Sequence, residues 1–217
     1  MREIAKKLLR SPAVRIAAGF SLAAILLLAI GTLVTGPNQR VAAAVDAPLR
    51  WYARQLQSPL LTSLFVAVTK LGSTLWLSII GSVAGLAFIG LRWFRGLFLF
   101  IIVMAGQALL HPGAKAAFTR ARPPAIINYP IGESFSFPSG HALSSLCLYV
   151  SLAWIATGRI ENSAAKVGIW MVAFLLVLLI GLSRIYIGVH YPTDVIGGYI
   201  AASVWTAAVI SNDRKPL

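Results

Sequence analysis

The residues best suited to chemistry fall in three clusters: Lys115-x6-Arg122-Pro123, Pro138-Ser139-Gly140-His141 and Ser183-Arg184-x5-His190-x3-Asp194. Lys115, Arg122 and Arg184 are three fixed cations, the complement of a phosphate group. A guanidinium binds phosphate oxygens in bidentate fashion and keeps its charge at every physiological pH. Ser139 and Gly140 stand just before an apolar run that reads as a helix. Helix-start N–H groups favour an anion, glycine lets the backbone come close, and the Ser139 hydroxyl is a further donor. His141 and His190 supply imidazoles, nucleophilic when neutral and acidic when protonated near neutral pH. Pro192 suits the first turn of a helix, which sets His190 at the helix mouth and Asp194 about one turn inside. A carboxylate there can fix the imidazole tautomer and stabilise its protonated form. Gly188 interrupts any helix continuing from Arg184, so that Arg184 and His190 can converge.

Most of the remaining sequence is apolar. Of 217 residues, 58% are hydrophobic and 12% charged, against about 25% charged in a soluble domain. The chain therefore reads as an all-α polytopic membrane protein. About 20 apolar residues cross the hydrocarbon core, and six candidate spans follow: Ile16–Thr35, Ser73–Leu91, Gly96–Leu110, Ala142–Thr157, Val167–Leu182 and Asp194–Ser211. Asn38–Lys70 holds Asp46, Arg50, Arg54, Pro48 and Pro59, with an interfacial Trp51–Tyr52 pair. It reads as helix lying along the membrane rather than crossing it. The whole chain, 1–217, is expected to form one membrane-embedded domain. Within it, 1–15 is a cytoplasmic tail, 36–70 an extracytoplasmic or interfacial segment, and 111–141 the loop that carries the first two clusters.

The net charge of +13 does not point to nucleic acid, because no basic stripe lies on a soluble surface. Basic residues instead flank the apolar runs, as in the short Arg92–Arg95 loop. With both termini cytoplasmic, eleven of the nineteen Lys and Arg residues fall inside, the orientation the positive-inside rule favours. All three clusters then share the extracytoplasmic face. The basic N-terminus and Ala42–Ala44 resemble a signal peptide with its cleavage site, but the apolar run is too long and the site too distant. Gly81-x3-Gly85 reads as helix packing. Cys147, the sole cysteine, reads as a small buried core residue that excludes intrachain disulfides. His111 reads as an interface residue and Glu133 as a solvated loop charge, while the role of Asn128 stays open. A metal at His141, His190 and Asp194 is disfavoured by the neighbouring cations.

The three clusters resemble the signature of the type 2 phosphatidic acid phosphatase (PAP2) superfamily, K-x6-RP, PSGH and SR-x5-H-x3-D. Here it reads KAAFTRARP, PSGH and SRIYIGVHYPTD, with no departure at a signature position. The resemblance spans Lys115–Asp194 by motif and most of the chain by layout. It implies that His190 is the nucleophile, Asp194 its orienting partner and His141 the general acid. Lys115, Arg122, Ser139, Gly140 and Arg184 would form the phosphate cradle. It implies no metal and no other cofactor. Family members also include acid phosphatases and vanadium haloperoxidases, but six spans favour the lipid branch.

The resemblance further implies a bacterial inner-membrane enzyme acting on a lipid phosphate, with the bilayer as its surroundings and no obligate protein partner. Undecaprenyl pyrophosphate and phosphatidylglycerol phosphate are the favoured substrates; phosphatidate and lipid A 1-phosphate are alternatives. Transfer of the phosphoryl group to another lipid or sugar would use the same chemistry. A non-catalytic lipid-phosphate binder or transporter could dispense with the nucleophile, whereas His141, His190 and Asp194 are all present.

Overall fold

The computed structural model describes residues 11–36, 39–130 and 134–211. These fold into eight helices: α1 (Pro12–Thr35), α2 (Gln39–Gln55), α3 (Pro59–Lys70), α4 (Thr74–Gly90), α5 (Phe94–Ala117), α6 (Gly140–Thr157), α7 (Ser163–Ile187) and α8 (Pro192–Ile210). The helix starts follow local chemistry. Proline occupies the first turn of α1, α3 and α8, where its missing N–H costs nothing. The Ser58 side chain caps α3 and the Asn162 side chain caps α7.

Helices α1, α5, α6, α7 and α8 are each long and apolar enough to cross a membrane. The sixth expected span differs. α4 has only 17 residues and qualifies only together with α3, across a 50° bend. At the bend, the N–H groups of Leu71, Gly72 and Ser73 turn back to the carbonyls of Val68, Thr69 and Lys70. The Tyr149 hydroxyl on α6 donates to the Leu71 carbonyl at 3.0 Å and pins the bend to the bundle. The stretch expected to lie wholly along the membrane is thus two helices, and α3 forms with α4 a bent pair of the kind found in a broken span or a re-entrant loop. Its Thr69 is fully buried, because it reaches a charged partner on α7. Ala42–Ala44 lies within α2, while the basic N-terminal segment up to Arg10 and Glu133 fall outside the described residues.

Helix α6 is the most buried span and packs against α5, α7 and α8. α1 runs along α8, where Gly19 lies against Ala208. Gly106 of α5 makes room for the Trp205 indole, whose N–H donates to the Val103 carbonyl at 2.9 Å. Gly81 lies beside Leu148 and Phe100, and Gly85 beside Leu97, the packing role expected of them. Cys147 is buried in the core. Leu22, Ile25, Leu86, Phe98, Leu109, Met171 and Phe174 stay exposed along the spans. So large an apolar girdle fits a hydrocarbon surrounding rather than water.

Candidate active site

The chemistry-bearing residues gather at one end of the bundle, where α5 and α7 end and α6 and α8 begin. The left-handed turn at Gly188, φ 87°, stops α7 just after Arg184. The Gly188 amide bonds the Ile185 carbonyl and the Val189 amide bonds the Arg184 carbonyl. The chain then reverses through Val189 and His190 into α8, whose first turn contains Asp194. Ser139 opens α6, and its amide donates to the Asp194 carbonyl at 3.1 Å, joining the second and third clusters through the backbone.

A cavity of about 690 Å³ is lined by Lys115, Arg122, Gly140, His141, Arg184 and His190. Six of the eight residues expected from sequence therefore share one wall system. The other two, Ser139 and Asp194, are fully buried behind it. A second cavity of about 630 Å³ lies beyond Arg120 and Tyr191, against Arg40, Asp46 and Arg50. It contains neither histidine, so the reactive groups belong to the first.

His190 is 2% exposed. Its Nε2 lies 3.3 Å from an Arg122 Nη1, while its Nδ1 lies 3.5 Å from Asp194 Oδ2. The latter distance exceeds a hydrogen bond of about 2.7–3.2 Å, and Nδ1 has no closer partner. Such contacts often tighten when substrate binds. Burial lowers the His190 pKa to about 4. Asp194 opposes the shift, and the Arg184 and Arg122 charges reinforce it. The imidazole is thus neutral at physiological pH, with one nitrogen toward the cations and the other toward the carboxylate.

Asp194 is held from several sides. Arg120 reaches its Oδ1 at 2.5 Å, the Ser136 hydroxyl donates to Oδ2 at 2.5 Å, and the Tyr191 amide donates to Oδ2 at 2.8 Å. Arg120 in turn meets Asp46 at 2.7 Å and stacks over the Tyr191 ring. Asp46 accepts from the Thr193 amide and hydroxyl, both at 2.9 Å.

The cations are positioned too. Arg122 donates to the Ser134 carbonyl and hydroxyl and to the Val189 carbonyl, each at 2.8 Å. Lys115 donates to the Phe135 carbonyl. Arg184 donates to Thr69 Oγ1 at 2.7 Å, while its Nε is buried without a partner. The Ser139 hydroxyl is likewise buried and unpartnered. Because the Ser139 amide is taken by Asp194, the helix-start donors left for an anion are the N–H groups of Gly140 to Ala142.

Several site residues were not apparent in the sequence. His111, expected at the membrane interface, lines the cavity instead, with its ring against Gly140. The signal was its position one turn before Lys115 on α5. Asp46 and Thr69 sit in a segment whose prolines and interfacial aromatics masked any link to the motifs. Ser134, Ser136 and Tyr129 are loop residues without periodicity. Asn128 is exposed, while its neighbours Tyr129 and Pro130 line the cavity.

The PAP2 superfamily model matches residues 96–215, more than half of the chain. The chain belongs to the PAP2 superfamily. It is 32% identical over 164 residues to phosphatidylglycerophosphatase B of Bacillus subtilis, covering 72% of this chain and 77% of that one. It is 31% identical over 81 residues to undecaprenyl-diphosphatase of Sulfolobus acidocaldarius, covering 37% and 34% of the two chains. Among solved structures, a transmembrane PAP2 type phosphatidylglycerolphosphate phosphatase from Bacillus subtilis superposes with a TM-score of 0.72 at 26% identity, over 89% of this chain and 94% of that one. Aquifex aeolicus LpxE shares the fold, with a TM-score of 0.61 at 23% identity over 76% and 94% of the chains. The protein is an all-helical membrane phosphatase, and its relatives are membrane lipid phosphatases.

Proposed function

We propose that this PAP2 protein removes phosphate from a membrane lipid through a phosphohistidine formed on His190. The observation that carries the reading is the two-sided setting of that ring. Nε2 faces the cationic cavity beside Arg122, and Nδ1 faces a fully buried carboxylate. In the first step Nε2 attacks phosphorus, the N–P bond forms, and the bond from phosphorus to the lipid oxygen breaks. His141, lining the same cavity, gives its proton to that oxygen. Asp194 accepts a hydrogen bond from the Nδ1–H and stabilises the positive ring. In the second step water attacks phosphorus, gives its proton to His141 and releases phosphate as the N–P bond breaks.

Lys115, Arg122 and Arg184 hold the phosphoryl oxygens, with Ser139 and Gly140 at the start of α6. These cations supply the charge stabilisation that a metal gives in other phosphatases. The substrate is a phosphomonoester or pyrophosphate lipid: phosphatidylglycerol phosphate, phosphatidate or undecaprenyl pyrophosphate. Such a lipid can leave its chains in the bilayer, which avoids about 0.8 kcal/mol for each CH₂ moved into water. We further place the chain in the bacterial inner membrane as one domain, with cytoplasmic termini and an extracytoplasmic site.

The test is phosphate release from these lipids in detergent by wild type and His190→Ala, with enzyme quenched in alkaline denaturant and assayed for base-stable, acid-labile phosphohistidine. Wild type should release phosphate and trap label, and the folded variant should do neither. Turnover by His190→Ala at the wild-type rate ends this mechanism.

A further inference from the structure

The cavity continues beyond the cluster residues along α4, α5 and α6, and its chemistry changes in steps. On α5 the lining side chains are Lys115, His111, Gln107 and Met104, about one turn apart. On α6 they are His141 and then Ser144, while Ser73 and Thr74 at the start of α4 are followed one turn on by Leu77 and Ser78. Lys115 and Gln107 are eight residues apart, about 12 Å along a helix. Along α5 the first layer is therefore cationic, the second neutral and hydrogen-bonding, and the third, at Met104, apolar.

The second layer is specific in its polarity. The Ser144 hydroxyl donates to Gln107 Oε1 at 2.7 Å. That bond uses the amide oxygen and turns the amide nitrogen, with its two N–H donors, toward other partners. The cavity's fixed cations reach other partners: Lys115 the Phe135 carbonyl, Arg122 Ser134 and Val189, and Arg184 Thr69. A second phosphate here would carry its charge against neutral groups. An ester carbonyl or a hydroxyl would find matched donors.

We infer that Gln107 and Ser144 form a linker subsite, which makes the substrate a glycerolipid phosphate in preference to a prenyl pyrophosphate. The inference rests on the hydrolase reading above and narrows its substrate class. A glycerolipid presents phosphate, then a neutral ester-bearing backbone, then hydrocarbon, in the order of the three layers. A prenyl pyrophosphate presents two consecutive charges and then hydrocarbon. A second phosphate here would have only neutral donors in place of the charge-assisted contacts that hold the first.

The test compares phosphatidylglycerol phosphate and phosphatidate with undecaprenyl pyrophosphate, each in detergent with wild type, Gln107→Leu, Ser144→Ala and Gln107→Lys. Gln107→Leu should raise KM for both glycerolipids about tenfold, the size of one or two neutral hydrogen bonds, with kcat little changed. Its KM for the pyrophosphate should stay within about twofold. Ser144→Ala should shift the glycerolipids in the same direction by less, and it keeps the test available if Gln107→Leu does not fold. Gln107→Lys, which adds a cation at this layer, should lower KM for the pyrophosphate. Equal losses on all three lipids, or a loss confined to the pyrophosphate, overturn the subsite while leaving the hydrolase reading intact. A wild type that releases phosphate from none of them overturns the parent reading itself.

Discussion

Arg120 and Asp194 form an ion pair of 2.5 Å in which the carboxylate is wholly buried. Arg120 is not a signature position, and it lines the second cavity rather than the one that Lys115, Arg122 and Arg184 share. Its second contact, to Asp46 at 2.7 Å, ties α2 to the start of α8. On the proposed mechanism Arg120 is therefore a positioning residue, holding Asp194 by Oδ1 while Oδ2 faces His190. Arg120→Gln would leave two buried carboxylates without a cation, a loss worth about 3 kcal/mol or more. We expect a lower thermal unfolding midpoint in detergent, and kcat down about 10- to 100-fold with KM little changed. Asp46→Asn should show the smaller stability loss and nearly full kcat. A fall in KM affinity without a fall in kcat would place Arg120 among the phosphate-binding groups instead.

The pH dependence follows from His190. Its folded pKa, about 4, is below the ordinary imidazole value of 6.5. The ring must be neutral to attack, so kcat/KM should fall about tenfold per unit only below pH 4 or so. Stability has its own window. Between pH 6.5 and about 4 the unfolded chain binds a proton at His190 that the folded chain refuses, so stability rises with pH there. It should fall progressively as pH drops from 6.5 to about 4 and gain nothing further from this group above 6.5. An acid limb in kcat/KM at pH 6.5 would show a solvated ring and contradict the buried geometry.

The three clusters were legible because phosphate chemistry demands particular side chains at fixed separations, and apolar runs long enough to span a bilayer mark themselves. Pro192 and Gly188 set helix boundaries by backbone rules alone, and both lie where those rules put them. What could not be read depends on the third dimension. Asp46 and Asp194 are 148 positions apart and meet only through Arg120. Thr69 gains its meaning from Arg184 on another helix. The bend between α3 and α4 hides in a sequence whose apolar run is too short to span and whose polar flank looks interfacial. His111 looked interfacial because Pro112 follows it, yet that proline lies inside α5, and the helix runs on to carry His111 and Lys115 into one cavity.

Gly188 offers a test of the turn that presents His190. Its φ of 87° is a conformation that other residues adopt at a cost, and an added Cβ would lie 2.5 Å from the Ile126 backbone nitrogen. That nitrogen donates to the Ile187 carbonyl at 3.1 Å, so the loop between α5 and α6 rests on this turn. Gly188→Ala should destabilise the protein by about 1–3 kcal/mol and lower kcat by displacing His190 relative to Arg122. Thermal unfolding and steady-state kinetics on the same preparation check both. An Ala variant with wild-type midpoint and rate would mean that the turn relaxes freely.

Vanadate and chelators together probe what holds the phosphoryl group. Three fixed cations converge on the cavity, and Arg184 Nε and the Ser139 hydroxyl are buried beside it without partners. Buried donors of this kind are costly unless a ligand completes them. Among the described residues no three His, Cys, Asp or Glu side chains group closely enough to hold a metal ion. Phosphate release should therefore persist in excess chelator. Vanadate, which adopts the five-coordinate shape of phosphorus in the transition state, should inhibit competitively and raise the unfolding midpoint, since it binds only the folded state. Arg184→Lys, which replaces the planar fork with a point charge and vacates the Nε position, should weaken vanadate at least tenfold. It should also lower kcat more than it raises KM, because the lost contacts are strongest to the transition state. Loss of activity in chelator with recovery on adding a divalent cation would reverse this account, since the charge stabilisation assigned to Lys115, Arg122 and Arg184 would then belong to an ion.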